Sequence, residues 1–529
     1  MTRLEELKTI YRAGRIDRRQ FMEGALALGM TLASASTFAS KAHAAAPKKG
    51  GHARFGVSRG STGDSLDPIA TVGGFTIVMQ YALRGHLTEV GNDGLLRGDL
   101  AESFEASPDA KTWRFKLRKG VEFHNGKTME VEDVIASFNY HRGEDTKSPA
   151  KSVLEAVETI KADGKDTVVF ELSSGSADFP YSVSDYHLCI LPAKDGGVDW
   201  ESGVGTGGYK LETFEPGVRA TMRRNPNYWK PDAGNFDEAE ILSISDGAAR
   251  VNALISGEID AIDQVDLKVV DRLEQKEGIR VEQTTGNLHC SIPMNTTVAP
   301  FDNNDVRLAL KYAIDREAIV KSVLKGYGEV GNDHSIGPAN QFLNTDLPQR
   351  RYDPDKAKFH LKQAGMSSLK VDLSTSDGAV FSGAVATAEL YKEHAAKAGI
   401  DINLVREPAD GYWSNVWMVK PWSFSVWSGR PTEDWMFTVG YAKGGSWNET
   451  FWDHERFNKL LVEARAELDQ EKRRTIYYEM QQILSDEGGA VVPMFMSNVH
   501  ATSDRIAHGP MAANWEMDGS KCVERWWFA

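Results

Sequence analysis

Cysteine is scarce. The 529-residue chain holds three (Cys189, Cys290 and Cys522), too few for a disulfide framework and with no CxxC spacing. At most one bridge can form, and buried thiols are the plainer alternative. The thirteen histidines are scattered, and none is paired at the spacing a metal site needs. His454-Glu455 opens an H-E-x-x-H pattern, but its last position holds Asn458. Long runs of Lys and Arg are also missing, and 61 basic against 75 acidic residues leave a formal charge of −14. That balance excludes nucleic acid and anionic membrane as partners, because both need cations set against phosphate. Beyond the N-terminus no apolar stretch approaches the roughly 20 residues of a spanning helix. There is no internal repeat, low-complexity tract or flexible linker, so the roughly three domains expected of this length are interleaved.

What remains is a globular composition, 41% hydrophobic and 26% charged. A chain of this size buries about 75% of its unfolded surface and needs no metal or bridge to fold. Tryptophan is abundant at thirteen residues, and seven crowd into 411–452: Trp413, Trp417, Trp422, Trp427, Trp435, Trp447 and Trp452. Such a cluster lines a pocket with flat apolar faces or fills a core.

The N-terminus reads as an export address. Arg18-Arg19-Gln20-Phe21 precedes an apolar run from Gly24 to about Ala39, and Ala42-His43-Ala44 has the small-residue spacing a signal peptidase accepts. Paired arginines before Phe resemble a twin-arginine signal, which exports folded proteins. Residues 1–46 are therefore expected to be a signal peptide and the mature protein to be periplasmic. With no cysteine at the cleavage site, no lipid attachment is expected. The alternative is an amphipathic N-terminal helix.

Strand and helix periods alternate along the rest. Trp113, Phe115 and Leu117 alternate with Arg114, Lys116 and Arg118, a half-buried strand followed by turns at Gly120 and Asn125-Gly126. Thr128 is expected to cap a helix with stripe Val131, Val134, Ile135 and Phe138. Further strands are expected at 166–172 and 208–214, and one helix over 305–324. A shorter helix follows over 352–365, then a β–α–β run over 371–405 with parallel strands, and two helices over 454–487 rich in i,i+4 charge pairs.

Catalytic motifs fail on context. Gly56-Val57-Ser58-Arg59-Gly60 matches a nucleophile elbow, yet loop residues follow where a helix must start. Gly203 to Gly208 spells G-x-G-x-x-G, but Tyr209–Phe214 continues as a strand, so no helix N-terminus meets a pyrophosphate. Glu433-Asp434 offers paired carboxylates for acid–base work or a solvated structural pair. No enzyme class, cofactor or metal is indicated.

Several segments carry a family resemblance. Gly98-Asp99-Leu100-Ala101-Glu102-Ser103-Phe104 leads to Ser107-Pro108-Asp109 and Thr112-Trp113, then Phe115-Lys116-Leu117-Arg118-Lys119-Gly120-Val121-Glu122-Phe123-His124-Asn125-Gly126. Ser65-Leu66-Asp67-Pro68, Gly207-Gly208-Tyr209, Arg224-Asn225-Pro226-Asn227-Tyr228-Trp229, Ser256-Gly257-Glu258-Ile259-Asp260 and Asp305-Val306-Arg307-Leu308-Ala309-Leu310 follow suit. Together they resemble the bacterial extracellular solute-binding proteins of family 5, the dipeptide, oligopeptide and nickel-chelate receptors of ABC importers.

The resemblance implies an α/β, two-lobed periplasmic binding protein fold with a hinge and three interleaved domains of the cluster C type. Residues 47–95, 205–290 and 498–529 would form the main domain of lobe 1. Residues 96–204 would be inserted in that lobe, and 291–497 would form lobe 2. It also implies a monomer that captures a peptide or similar small polar solute and delivers it, unchanged, to an inner-membrane permease. The alternatives are an organic acid, opine, sugar conjugate or nickel chelate as ligand, or a periplasmic enzyme. In many peptide receptors the segment matching Val426–Trp435 carries an Asp after the Gly that holds the ligand's ammonium group. Here Arg430 follows Gly429, and Asp434 lies four residues on. Arg430, Asp434, Trp413, Trp427 and Trp447 are the candidate ligand contacts, with Asn295 near the implied hinge. For Arg430 the alternative is a structural salt bridge to Glu433 or Asp434. For the tryptophans it is core packing.

Overall fold

The computed structural model describes residues 47–529, and the export-signal reading of residues 1–46 lies outside the described residues. β1 (His52–Val57) opens the chain and leads through the Ser58–Gly60 turn to α1 (Gly74–Leu83), which is buried along its whole length. No helix follows Ser58 directly; its hydroxyl donates to Asp263 at 2.6 Å and is structural.

A four-stranded antiparallel sheet comes next, β2 (Ala101–Ala106), β3 (Thr112–Leu117), β4 (Val157–Ala162) and β5 (Thr167–Leu172), ordered β2-β3-β5-β4. Trp113, Phe115 and Leu117 on β3 point into its core while Arg114 and Lys116 face water, as the alternation requires. α2 (Val131–Tyr140) covers this core with Val131, Val134 and Phe138. Its cap is Glu130, not Thr128. Thr128 is held in a bridge to Glu122 and Met129 N–H donates to Val121, so the hairpin claims both residues before the helix can start. Asp133 then accepts the Glu130 N–H at 2.9 Å.

The chain returns to the β1 sheet with β6 (Tyr209–Glu215), β7 (Arg219–Arg224), β8 (Glu238–Ser243) and β9 (Ala261–Ile262), then enters the long β10 (Ile279–Pro293). Beyond it lie α3 (Asn304–Tyr312) and α4 (Arg316–Ser322), where the apolar stripe suggested one helix. Asp315 breaks the run by accepting the Ala318 N–H at 3.0 Å, the bond of an N-cap.

β11 (Gly328–Val330) and α5 (Pro354–Gln363) precede β12 (Leu369–Thr375), α6 (Ala384–Ala396) and β13 (Ile400–Arg406); β12 and β13 pair in parallel. β14 (Ser425–Trp427), α7 (Glu433–Gly440), α8 (Glu455–Ala466) and α9 (Gln470–Glu487) lead to the second long strand, β15 (Ala490–Ser503). The charges of α8 and α9 pair in several ways, Arg456–Glu479 across the two helices, Arg465–Asp434 and Arg473–Asp178 to other elements and Arg474–Glu471 at i,i+3, and no i,i+4 ion pair forms in them among the described residues.

The large sheet has nine strands, ordered β6-β7-β8-β1-β9-β15-β10-β14, with β11 added on β15. β10 and β15 run through both halves of the molecule. Their 279–285 and 497–503 ends pair beside β9, and their 289–293 and 490–495 ends lie beside β14 and β11, with a register break between Thr285 and His289. Two adjacent strands crossing from one core to another, loosened at a bulge, form a two-stranded hinge. One core packs around β1 and α1, another around the inserted sheet, and further cores lie beyond the hinge.

The halves also meet away from the hinge. Asp178, beside the inserted sheet, pairs with Arg473 of α9 at 2.5 Å, and Ala177 N–H donates to the Arg465 carbonyl at 2.8 Å. Leu468 packs against the core of the inserted sheet. All three cysteines are free thiols and buried.

Candidate functional site

The site is built on the strand–turn–helix segment that follows β14. Trp427 lies opposite His289 on β10, which fixes its register beside the hinge. Gly429 then turns the chain at φ +80°, and a Cβ there would lie 2.2 Å from Asn287 Cβ. Only glycine meets both conditions. Past the turn, the Arg430 carbonyl accepts from Asn287 Nδ2 at 3.0 Å and Asn340 Nδ2 at 3.1 Å, which anchors the backbone and sets the side-chain direction. Thr432 caps α7 by accepting the Trp435 N–H at 3.3 Å.

Three indoles surround the Arg430 guanidinium. Its carbon lies 5.5 Å from the Trp427 ring centre, 5.8 Å from Trp435 and 5.4 Å from Trp447, all within cation–π range. Its one side-chain hydrogen bond among the described residues goes to the Gly429 carbonyl, at 2.6 Å. Burial pulls this guanidinium down from its ordinary value.

The aromatic cluster extends further. Trp427 packs on Trp447 at 5.8 Å, Trp447 on Trp417 at 6.4 Å and Trp417 on Trp413 at 5.7 Å, all edge-on. Trp427 is buried, whereas Trp413 and Trp447 are each 44% exposed and keep a face free. Trp422 and Trp452 belong to cores, Trp422 against Phe301 and Tyr391, Trp452 against Phe457.

Beneath the indoles lies Glu449, a residue without a motif. It is buried, and its carboxylate accepts from Trp417 Nε1 at 2.7 Å, Trp427 Nε1 at 3.0 Å and Ser291 Oγ at 2.7 Å. Burial pushes its carboxyl up, and the three donors pull it back. Neighbouring His289 is buried and pushed down to about 4 by burial, so it is neutral.

The sequence candidates divide. Arg430, Trp413, Trp427 and Trp447 come together, joined by Trp417, Trp435 and Glu449, which sequence reasoning did not single out as contacts. Asp434 is turned away, and its carboxylate accepts from Arg465 Nε at 3.1 Å, with burial pushing it up to about 6. Glu433 accepts the Phe342 N–H at 2.7 Å, and burial, with Asp178 adding to it, pushes it up to about 7. Neither carboxylate pairs with Arg430, so the alternative of a structural salt bridge is not what holds that side chain. Asn295 lies outside the cluster; its Oδ1 accepts from Thr297 N–H and Oγ1 in a local turn.

The cluster sits at the seam. Asn287, which receives Gly429, lies in the hinge bulge, and Asn340 adjoins Gln341, which accepts from the Tyr181 hydroxyl of the inserted domain at 3.4 Å. A cavity of about 220 Å³ opens along the hinge, lined among others by Gln264, Leu288, Asn498, His500 and Glu516. Among the described residues no group of three or more His, Cys, Asp and Glu side chains converges as a metal ion would require. Nor is any helix among them long and apolar enough to cross a membrane.

Comparison with known proteins agrees with this layout. The chain is 26% identical over 446 residues to the dipeptide-binding protein of Escherichia coli K12, covering 76% of this chain and 81% of that one. The structure of HbpA2 from Haemophilus parasuis superposes with a TM-score of 0.78 at 21% identity, over 89% of this chain and 99% of that one. The binding protein AgaA of A. tumefaciens R10, solved with agropinic acid, superposes with a TM-score of 0.69 at 25% identity, over 90% and 99% of the two chains. Residues 96–449 match the family described as bacterial extracellular solute-binding proteins, family 5 Middle, and the chain belongs to that family.

Proposed function

We propose that this chain is the periplasmic receptor of an ABC importer, which closes its two lobes on a small polar solute, a peptide first of all, and hands it unchanged to an inner-membrane permease. The observation that carries the reading is the placement of the Arg430–tryptophan cluster at the seam, between a two-stranded hinge and a second line of contact through Asp178 and Arg473. Closure about such a hinge buries a ligand on nearly all sides. The E. coli relative is named for dipeptides, which favours a peptide. The AgaA complex favours a second reading, an organic acid, and opines, sugar conjugates and nickel chelates complete the range.

Within this reading the signal peptide is twin-arginine, the mature protein is a monomer, and no bond of the ligand is made or broken. Lobe 1 comprises 47–95, 205–290 and 498–529 with 96–204 inserted, and lobe 2 comprises 291–497. Arg430, Trp413, Trp427 and Trp447 line the ligand site, while Asp434 and Asn295 support it through Arg465 and the 295–297 turn. Small-angle scattering of the mature protein with and without a mixture of free dipeptides tests the reading. A smaller radius of gyration on addition supports it, and a profile unchanged by dipeptides and by organic acids contradicts it.

A further inference from the structure

We propose that the ligand is held at this cluster by a carboxylate, seated on Arg430, rather than by an ammonium group. The inference rests on the receptor reading above and names the chemistry of its anchoring point.

A guanidinium carries five N–H donors in a planar fork. Among the described residues Arg430 spends its side-chain bonding on a single acceptor, the carbonyl of Gly429. Among the described residues its other nitrogens have no partner, and they are not among the sealed polar atoms of the interior, so they remain accessible. The three indoles turn their rings toward the guanidinium carbon, and an indole offers its N–H as a donor only, so none of them supplies a hydrogen-bond acceptor. The remaining N–H groups have no acceptor among the described residues, and a carboxylate matches a guanidinium fork with two parallel bonds.

The acids nearby already have partners. Glu449 is filled by Trp417, Trp427 and Ser291, Asp434 by Arg465, and Glu433 faces the Phe342 N–H. A ligand ammonium brought here would meet a cation, with Glu449 and Asp434 both filled by other donors. A ligand carboxylate would meet the Arg430 cation, which has no acid partner among the described residues, in a setting whose low polarity strengthens the bond. The free faces of Trp413 and Trp447 would then cover the apolar part next to that carboxylate.

The carboxylate could be the C-terminus of a peptide or belong to an organic acid, and matched probes separate the two. Thermal shifts of the mature protein are recorded with pools of free dipeptides, N-acetyl dipeptides, dipeptide amides and short hydroxy and keto acids. Affinities of the hits are then measured for wild type, Arg430→Gln and Arg430→Lys. A C-terminal source predicts that N-acetyl dipeptides stabilise and amides do not; an organic-acid source predicts that only the acids do. In either case Arg430→Gln weakens binding by roughly tenfold or more, as expected for losing a hydrogen-bonded charge. Arg430→Lys recovers part of it, because lysine keeps the charge but not the fork. Unliganded melting temperatures of the variants close to wild type show that the fold is intact. Dipeptide amides binding as well as free dipeptides, or Arg430→Gln binding normally, would overturn the carboxylate anchor and leave the receptor standing. No shift with any pool would overturn the reading as a receptor for peptides or organic acids, and this inference with it.

Discussion

Arg473 and Asp178 stand 295 positions apart in the chain, yet their side chains form an ion pair 2.5 Å long across the seam between the inserted domain and α9. Both are almost fully buried in this arrangement. The Asp178 charge also pushes the Glu433 and Asp434 carboxyls up, and the Arg473 charge pulls both down.

Removing one member should act on closure. In an open molecule both charges regain water, whereas in the closed one the partner left behind is buried alone, which costs about 3–5 kcal/mol. Asp178→Asn should therefore weaken ligand binding by at least roughly tenfold and enlarge the liganded radius of gyration, with a smaller change in unliganded melting temperature. Titration calorimetry with scattering on the same samples checks this. The double variant Asp178→Asn/Arg473→Gln should recover part of the loss.

Glu433 should make stability depend on pH. Its carboxyl is pushed from an ordinary 4.5 up to about 7, so the native state holds a proton that the unfolded chain has released. The contribution is fully present below about pH 4.5 and is lost as pH rises through about 7. Glu433→Gln removes this dependence, and its stability relative to wild type should improve by on the order of 3 kcal/mol between pH 4.5 and pH 8. Melting curves of both proteins across that range measure the shift.

Glu449 should be needed to hold the aromatic cluster. Glutamine at this position keeps one acceptor oxygen and sets an NH₂ group against an indole N–H or the Ser291 hydroxyl, leaving a buried donor unpaired at a cost of about 1–3 kcal/mol. Glu449→Gln should lower denaturant stability by that amount and shift tryptophan emission to the red as Trp417 loosens into the cleft. Fluorescence-detected unfolding reads both at once.

Gly429→Ala should be worse tolerated than any neighbouring exchange. The left-handed backbone and the contact with Asn287 each penalise a Cβ, together by about 2–5 kcal/mol, and the strain falls on the turn that presents Arg430. Loss of ligand-induced thermal shift should exceed loss of unliganded stability.

Much of this architecture could be read from residue order, and the exceptions share a cause. β3 was legible because Trp113, Phe115 and Leu117 alternate with charges, and the β12–α6–β13 unit because its periods switch cleanly. The break at Asp315 was hidden, since the apolar stripe continues across it and only the side-chain bond to Ala318 shows the stop. The cap at Thr128 failed for a similar reason, because a hairpin bond from Met129 to Val121 outcompetes the local helix signal. In the site, Arg430 and the tryptophans were visible because they lie within one short segment. Glu449 was not, because its partners come from Ser291, Trp417 and Trp427, which only the folded chain brings together. No local pattern distinguishes Asp434, bound to Arg465, from an acid facing a ligand.

The most direct test is a crystal structure of the mature protein with a solute that stabilises it. The solute should lie between the two lobes, enclosed, with a carboxylate oxygen about 3 Å from the Arg430 guanidinium. A solute lodged away from the seam would contradict the receptor mechanism, and one enclosed at the seam with an ammonium group toward Arg430 would contradict the anchor alone.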